Sequence, residues 1–299
     1  MPKIAYIKKR FGPAAQARIT LVNSIVDEYT AQGFKLTLRQ LYYQLVSRDL
    51  IPNTKKSYKN LGSVINDARL AGWIDWNAIE DRTRNLQSGS HWPTPNSIVA
   101  ACASQYAVDM WANQDNYVEC FVEKEALIGI LEGVCSEFDV PYFACKGYTS
   151  QSEMWGAAQR FIRKDNQGKH CTILHLGDHD PSGLDMTRDI QERLRLFGTD
   201  VRVKRIALNW DQVQEYEPPP NPAKETDSRF ASYQSQYGDE SWELDALDPS
   251  TIVALIRKEI RSLIDDIAWD EAVSEQERGR EQLTLVAENW DDTVEYLER

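Results

Sequence analysis

The sequence lacks the features of membrane, secreted and disordered proteins. It has no run of about 18 apolar residues that could cross a bilayer. Its basic start, MPKIAYIKKR, is not followed by the apolar segment of a secretory signal. Hydrophobic residues make up 42% of the 299 positions, which is enough for packed cores in about two domains. These features predict an intracellular globular protein with no membrane partner.

Cysteine is also scarce and its spacing is irregular. The chain has only five cysteines, and no two of them form a CxxC pair. An odd number with such spacing argues against a disulfide framework and against a zinc site built on paired cysteines. We therefore expect free thiols, buried or partly buried, at Cys102, Cys120, Cys135, Cys145 and Cys171.

Positive charge is in deficit overall, and only the first third of the chain has more positive than negative residues. The formal net charge is -12, yet residues 1–100 hold 14 Lys+Arg against 7 Asp+Glu, a net of +7. The remaining residues carry a net of -19. A basic first third suits phosphate binding, whereas the acidic remainder would repel DNA unless metal ions neutralised part of it. A basic face that is merely solvated would have the same composition, so charge leaves both interpretations open.

The first 95 residues have the pattern of a small helical domain. Apolar residues at helical spacing predict a helix over 13–32. A second helix is predicted from about Leu38 to Arg48, because Thr37 and Gln40 form a capping-box pattern. A third helical pattern surrounds residues 61–68, and GWIDW after it could form a short strand. This succession predicts a winged helix-turn-helix domain over 1–95.

From residue 96 onwards the pattern is that of an α/β domain. The polar segment DRTRNLQSGSHWPTPN (81–96) predicts the linker that separates the two domains. After a helix near 97–111, strand and helix patterns alternate, which predicts a mostly parallel sheet with helices on both faces. A further amphipathic helix is predicted over 251–267. The predicted strands are YVECFV, PYFAC, CTILHL and VRVKRIAL.

Three carboxylates follow two of these strands. Glu123 comes directly after YVECFV, and Asp178 and Asp180 lie in GDHDPSG after CTILHL. The carboxyl ends of parallel strands meet at one edge of a sheet, where ligand sites of open α/β folds lie. Oxygen ligands of this kind suit Mg2+. The alternative is structural: Asp180, directly before a proline, could simply cap the following helix.

The adjacent tyrosines of TLRQLYYQLV differ in their expected surroundings. Tyr42 falls on the apolar stripe of the helix and is expected in the core. Tyr43 falls off that stripe and neighbours Arg39, four residues earlier. A cation beside a phenol favours the phenolate, so Tyr43 is a candidate nucleophile and Arg39 its activator. The alternative is an ordinary amphipathic tyrosine at a surface or domain interface.

Taken together, these motifs resemble those of the A subunit of type IIB topoisomerases (topoisomerase VI) and the related meiotic double-strand-break protein. TLRQLYY is similar to the family's catalytic-tyrosine motif, whose second tyrosine corresponds to Tyr43. FVEKEAL and GDHDPSG are similar to its Toprim domain, whose Mg2+ ligands correspond to Glu123, Asp178 and Asp180. KGYTS and WELDAL also resemble family segments.

The resemblance implies a winged-helix domain over 1–95 and a Toprim domain over 96–299. It implies Mg2+-dependent cleavage of double-stranded DNA through a 5'-phosphotyrosyl link, in a homodimer with composite sites. The family also uses a separate ATPase subunit, and this chain has no glycine-rich phosphate loop. It is most similar to short, stand-alone variants associated with mobile elements and phages. A Toprim-type metal-dependent nuclease and a non-catalytic winged-helix DNA-binding protein are the alternatives.

Overall fold

The N-terminal region is helical, as predicted. The structure, a computed structural model, describes residues 3–80 and 89–299. Part of the predicted linker, residues 81–88, therefore lies outside the described residues. The elements of this region are α1 (Pro13–Ala31), β1 (Leu36–Thr37), α2 (Leu38–Ser47), α3 (Lys55–Leu70) and β2 (Ile79–Glu80).

Helix α2 begins where the capping box was predicted. The Gln40 backbone N–H donates to Thr37 Oγ1 at 3.3 Å, and Gln40 Oε1 accepts from the Thr37 backbone N–H at 2.9 Å. The strand predicted in GWIDW is wrong. Gly72 has a φ of +73°, which turns the chain directly after α3, and the strand forms only at β2, where it pairs in parallel with β1.

The remainder of the chain is built on a four-stranded, Rossmann-like parallel sheet flanked by helices, which confirms the α/β prediction. The strand order is β4-β3-β5-β6, and all neighbours are parallel. The strands are β3 (Asn116–Val122), β4 (Tyr142–Ala144), β5 (His170–Leu176) and β6 (Arg202–Ala207). The helices before and between them are α4 (Pro95–Gln105), α5 (Ile128–Glu137), α6 (Gln151–Asp165) and α7 (Pro181–Leu196).

The C-terminal part differs from the prediction of one helix over 251–267. Asp265 caps a new helix with its side chain, so the segment divides into two helices. The second of them is 23 residues long and packs against α4. The elements are α8 (Trp210–Tyr216), β7 (Asn221–Pro222), α9 (Phe230–Tyr237), β8 (Glu240–Ser241), α10 (Pro249–Arg261), α11 (Asp266–Glu288) and α12 (Trp290–Leu297).

Three apolar cores hold these elements together. Two lie on the two faces of the parallel sheet, and the third lies among α1, α2 and α3. Ala246, which lies between β8 and α10, belongs to this third core, so this segment packs against the N-terminal helices. Within residues 3–80 and 89–299, no helix is long and apolar enough to cross a membrane. All five cysteines are free as predicted, although Cys102 is exposed rather than buried.

Candidate active site

The three predicted carboxylates come together at the carboxyl edge of the sheet. Glu123 directly follows β3, and its Oε2 accepts a hydrogen bond from the Asp178 backbone N–H at 2.9 Å. Asp180 caps α7, with Oδ1 accepting from the Gly183 backbone N–H at 2.6 Å. The capping role that sequence offered as an alternative for Asp180 is therefore real, and it coexists with a place beside Glu123.

Asp178 is held more tightly than its two neighbours. Its Oδ1 accepts from the Leu244 backbone N–H at 2.8 Å, and its Oδ2 lies 2.9 Å from Lys124 Nζ. Burial raises the pKa of Asp178 to about 7, although the Lys124 ammonium opposes the rise. Both oxygens of this carboxylate are thus engaged by the protein itself.

Glu123 and Asp180 are the two predicted ligands that a divalent cation could use, because both oxygens of Asp178 are already engaged. No group of three His, Cys, Asp or Glu side chains close enough to hold a metal occurs within the described part of the chain. Burial raises the pKa of Glu123, and the negative charge of Asp180 raises it further. A cation between the two would relieve that repulsion. Mg2+ commonly uses one or two carboxylates and completes its shell with water and phosphate oxygens.

Arg205 holds the backbone at this edge of the sheet, a role that the sequence did not predict. Its guanidinium is buried and donates to the carbonyl oxygens of Gly177 at 2.8 Å, Asp178 at 2.5 Å and Gly183 at 2.9 Å. Burial lowers its pKa to about 10, while the carboxylates Glu123, Asp178 and Asp180 oppose that change. The arginine therefore fixes the backbone from which the acidic residues project.

His179, between the two aspartates, faces the protein interior. It is 1% exposed, its Nδ1 lies 2.9 Å from the Tyr233 hydroxyl, and it contacts the rings of Trp210, Tyr237 and Trp242. Burial lowers its pKa to about 4. It is a neutral packing residue that fixes the acidic loop to the C-terminal segment.

The expected difference in burial between the two tyrosines is wrong. Tyr42 is 5% exposed and Tyr43 is 4% exposed. The Tyr42 hydroxyl donates to Asn53 Oδ1 at 3.0 Å, on the side of α3. Tyr43 is covered by β7, where Asn221 Nδ2 donates to its hydroxyl at 3.5 Å. The spacing of apolar residues along a helix predicts one buried face. Helix α2 is buried on two faces, so the spacing did not predict the burial of Tyr43.

Arg39 lies beside Tyr43 as expected, but it does not make the phenol acidic. The guanidinium carbon is 5.7 Å from the ring centroid. Burial raises the pKa of Tyr43 to about 12, and the carboxylates of Glu243 and Asp245 raise it too, while Arg39 and Asn221 act in the opposite direction. The phenol is neutral near pH 7, because burial and the two carboxylates outweigh the cation.

Arg39 is part of a network that joins α2 to the acidic edge. We call Arg39, Lys124, Asp178, Glu243 and Asp245 the bridging cluster. Arg39 pairs with Glu243, and its Nε lies 2.8 Å from Asp245 Oδ2. Lys124 Nζ lies 2.8 Å from Glu243 Oε2 and 2.9 Å from both Asp245 Oδ1 and Asp178 Oδ2. Two cations thus hold three carboxylates together.

Sequence reasoning missed Lys124, Glu243 and Asp245 as site residues. Lys124 lies in FVEKEAL, and the two acids lie in WELDAL, two segments that resemble family motifs. Their signal was therefore present, but nothing in helical or strand periodicity indicates that residue 39 meets residues 243 and 245.

A cavity of about 400 Å³ opens beside the Tyr43 hydroxyl. Its wall combines aromatic rings, cations and amides. The lining residues are Arg39, Tyr42, Tyr43, Asn53, Thr54, Lys55, Tyr58, Lys59, Asn221, Pro222 and Glu243.

Comparison with models of known protein families finds no match for the chain, and comparison with curated proteins finds none either. The functional interpretation therefore depends on the geometry of the site and on the motif resemblance.

Proposed function

We propose that the protein cleaves double-stranded DNA by tyrosine transesterification, as a stand-alone relative of the type IIB topoisomerase A subunit. Within this proposal, the N-terminal helical region is a winged helix, the parallel-sheet region is a Toprim domain, and the protein acts inside the cell. The substrate is duplex DNA and the nucleophile is Tyr43.

The observation that carries the proposal is the bridging cluster. It joins the helix of Tyr43, through Arg39, to the carboxyl edge of the sheet, through Lys124 and Asp178. Within the cluster the Asp245 side chain is fully buried and that of Asp178 is 10% exposed, whereas the Arg39 side chain is 45% exposed. Burying carboxylates is costly, and a structural purpose alone is served as well by apolar packing. Phosphoryl transfer requires a nucleophile beside cations and in a fixed position relative to acidic groups that could hold a metal. The cavity and the bridging cluster together have these features.

The reaction exchanges one phosphoester for another. The Tyr43 oxygen bonds to phosphorus, the bond from phosphorus to the 3'-oxygen breaks, and that oxygen leaves as a hydroxyl with the proton that the phenol gives up. Arg39 is placed to balance negative charge on the phosphate beside Tyr43. Asn221 holds the phenol in orientation. The equilibrium lies near balance, so the same bond can reseal the strand.

Mg2+ is part of the proposal, with Glu123 and Asp180 as its protein ligands. When bound, it would supply charge stabilisation to the phosphate oxygens. Asp178 would contribute through the position that Lys124 and the Leu244 backbone give it.

The test uses end-labelled duplex DNA, Mg2+ and denaturation with and without protease. Wild type is expected to leave protein attached to a DNA end. Tyr43→Phe should fold and bind DNA but form no adduct, because the attacking oxygen is absent. Tyr42→Phe is the matched control, since it removes a hydroxyl from the adjacent ring of the same helix.

Three other results would contradict the proposal. Free DNA ends in both variants would support a metal-dependent nuclease, which the raised pKa of Tyr43 also favours. Intact DNA with retained binding would support the non-catalytic alternative. A DNA remnant mapped to Tyr42 by mass spectrometry would show that Tyr42, and not Tyr43, is the nucleophile.

The proposal includes a homodimer, because family members combine the tyrosine of one subunit with the metal site of the other. In such a dimer the bridging cluster fixes α2 relative to the sheet within each chain, and Tyr43 of one subunit acts beside the metal site of its partner. Mixing Tyr43→Phe with Asp180→Asn tests this directly. A site shared between subunits regains one intact tyrosine and metal pair in the mixed dimer, so nicking returns. A site confined to one chain stays inactive. Adding an ATPase subunit of a related system tests the further expectation that such a partner closes the dimer.

A further inference from the structure

Among the residues that the structure describes, the cavity beside Tyr43 is the route by which a substrate can approach this side chain. The tyrosine is 4% exposed, and β7 covers one side of it. Attack requires the phosphorus to come within about 3–3.5 Å of the phenol oxygen. The attacked phosphate must therefore enter the cavity, and a phosphodiester cannot enter without at least one of the nucleosides attached to it.

The cavity has the chemistry of a nucleotide site. Its volume of about 400 Å³ is within the usual range for small-molecule pockets and far too small for a duplex. Tyr58 lines the cavity and is half-buried, and its ring is in edge contact with Tyr42 at a centroid distance of 5.3 Å. Part of the Tyr58 side chain is therefore accessible to a base that enters the cavity. Lys55 and Lys59 line the same cavity and are exposed, as phosphate-binding side chains would be.

We propose that this cavity binds a single nucleotide that has left the double-helical stack next to the attacked phosphate. Its base stacks on Tyr58, and the neighbouring phosphates contact Lys55 and Lys59. The inference rests on the proposed function and adds a substrate preference to it: DNA with an unpaired nucleotide at the cut site. Extrusion costs least where the base has no partner, so such DNA binds best.

The experiment measures binding and needs no cleavage. Tyr43→Phe protein is titrated against a fully paired duplex and against the same duplex with one extra, unpaired 2-aminopurine. Fluorescence anisotropy of an end label gives the two dissociation constants, and the preference is their ratio, paired duplex over bulged duplex. We expect tighter binding of the bulged duplex, and quenching of 2-aminopurine as its ring stacks on the tyrosine.

Three second-site variants identify the surface responsible. Tyr58→Leu should lower the ratio about fivefold or more, because base stacking on an aromatic side chain is lost. Tyr58→Phe keeps the ring and should keep the ratio, which separates stacking from a folding defect. Lys59→Gln should weaken the binding of both duplexes equally and reduce the salt dependence of binding. Lys56→Gln is the control, because Lys56 is exposed on the same helix but outside the cavity, and it should change neither quantity.

Equal affinity for the two duplexes, or a ratio unchanged by Tyr58→Leu, would overturn the inference. Wild-type adduct formation on paired DNA, together with equal affinities, would overturn the inference alone and leave the transesterase standing. Preferential binding of the bulged duplex without any adduct from wild type would overturn the transesterase and retain the nucleotide site.

Discussion

Replacing Lys124 with methionine is expected to destabilise the protein strongly. The Lys124 side chain is 20% exposed, and its ammonium lies within 2.9 Å of oxygens of Asp178, Glu243 and Asp245. Those carboxylates raise the Lys124 pKa although burial lowers it, so the side chain is charged in the folded protein. Without it, Arg39 still pairs with Glu243 and Asp245, but the Asp178 carboxylate loses its ion-pair partner. Removing one partner from a buried ion pair costs about 3–5 kcal/mol, and we expect a loss in that range near neutral pH.

The loss should depend on pH in a defined direction. Burial raises the pKa of Asp178 in the folded protein to about 7, above its ordinary value. The folded state therefore binds more protons than the unfolded state between about pH 4 and pH 7, and stability falls as pH rises through that window. Removing Lys124 raises this pKa further. Lys124→Met should consequently lose less stability at about pH 5.5 than at about pH 8.

Urea unfolding of wild type and variant at the two pH values measures both effects. Lys146→Met is the matched control, because its ion pair with Glu125 has the same 2.8 Å separation but exposed side chains. That pair should contribute at most about 1 kcal/mol, with little pH dependence. A loss for Lys124→Met no larger than for Lys146→Met, or one that grows at the lower pH, would refute the reasoning.

Three further predictions concern single contacts. Gly183→Ala should destabilise the protein by about 2 kcal/mol or more in thermal unfolding, because the added methyl group would overlap the Asp178 backbone carbonyl. Gly156→Ala on α6 is the control: its methyl group would enter open space, and we expect a gain of about 0.5–1 kcal/mol. Asn221→Asp should raise the pKa of Tyr43 further, because a carboxylate replaces the amide that donates to its hydroxyl. The rate of adduct formation should then increase at a higher pH than in wild type. An unchanged pH profile would remove this contact from the mechanism. Tyr29→Phe should cost about 1–3 kcal/mol in urea unfolding, because Oδ2 of the carboxylate at the start of α10 loses its hydrogen bond while Oδ1 keeps those from Ser250. A change within error would contradict this.

The sequence predicted those parts of the fold that depend on local spacing. The capping box at Thr37 and Gln40 placed the start of α2, and strand-helix alternation gave the parallel sheet with Glu123 at its edge. Local signals also explain one failure: Gly72 turns the chain directly after α3, so GWIDW cannot form the expected strand.

Long-range packing could not be predicted in this way. Tyr43 was placed on the polar side of α2 because periodicity reports only one packed face, and β7 buries the other. The same limit applies to its pKa. Arg39 is four residues away and visible in sequence, whereas the carboxylates of Glu243 and Asp245, which outweigh it, are some 200 residues away.

The separation of the bridging cluster along the chain has a consequence for synthesis. The contact between Arg39 and Glu243 closes a loop of 204 residues, and contacts of such high sequence separation form late in folding. During translation the helix that carries Tyr43 emerges long before Glu243 and Asp245. On the proposed function, a growing or truncated chain would hold the nucleophile but not its acidic partners, so the ability to break DNA would arise only in chains completed through this segment.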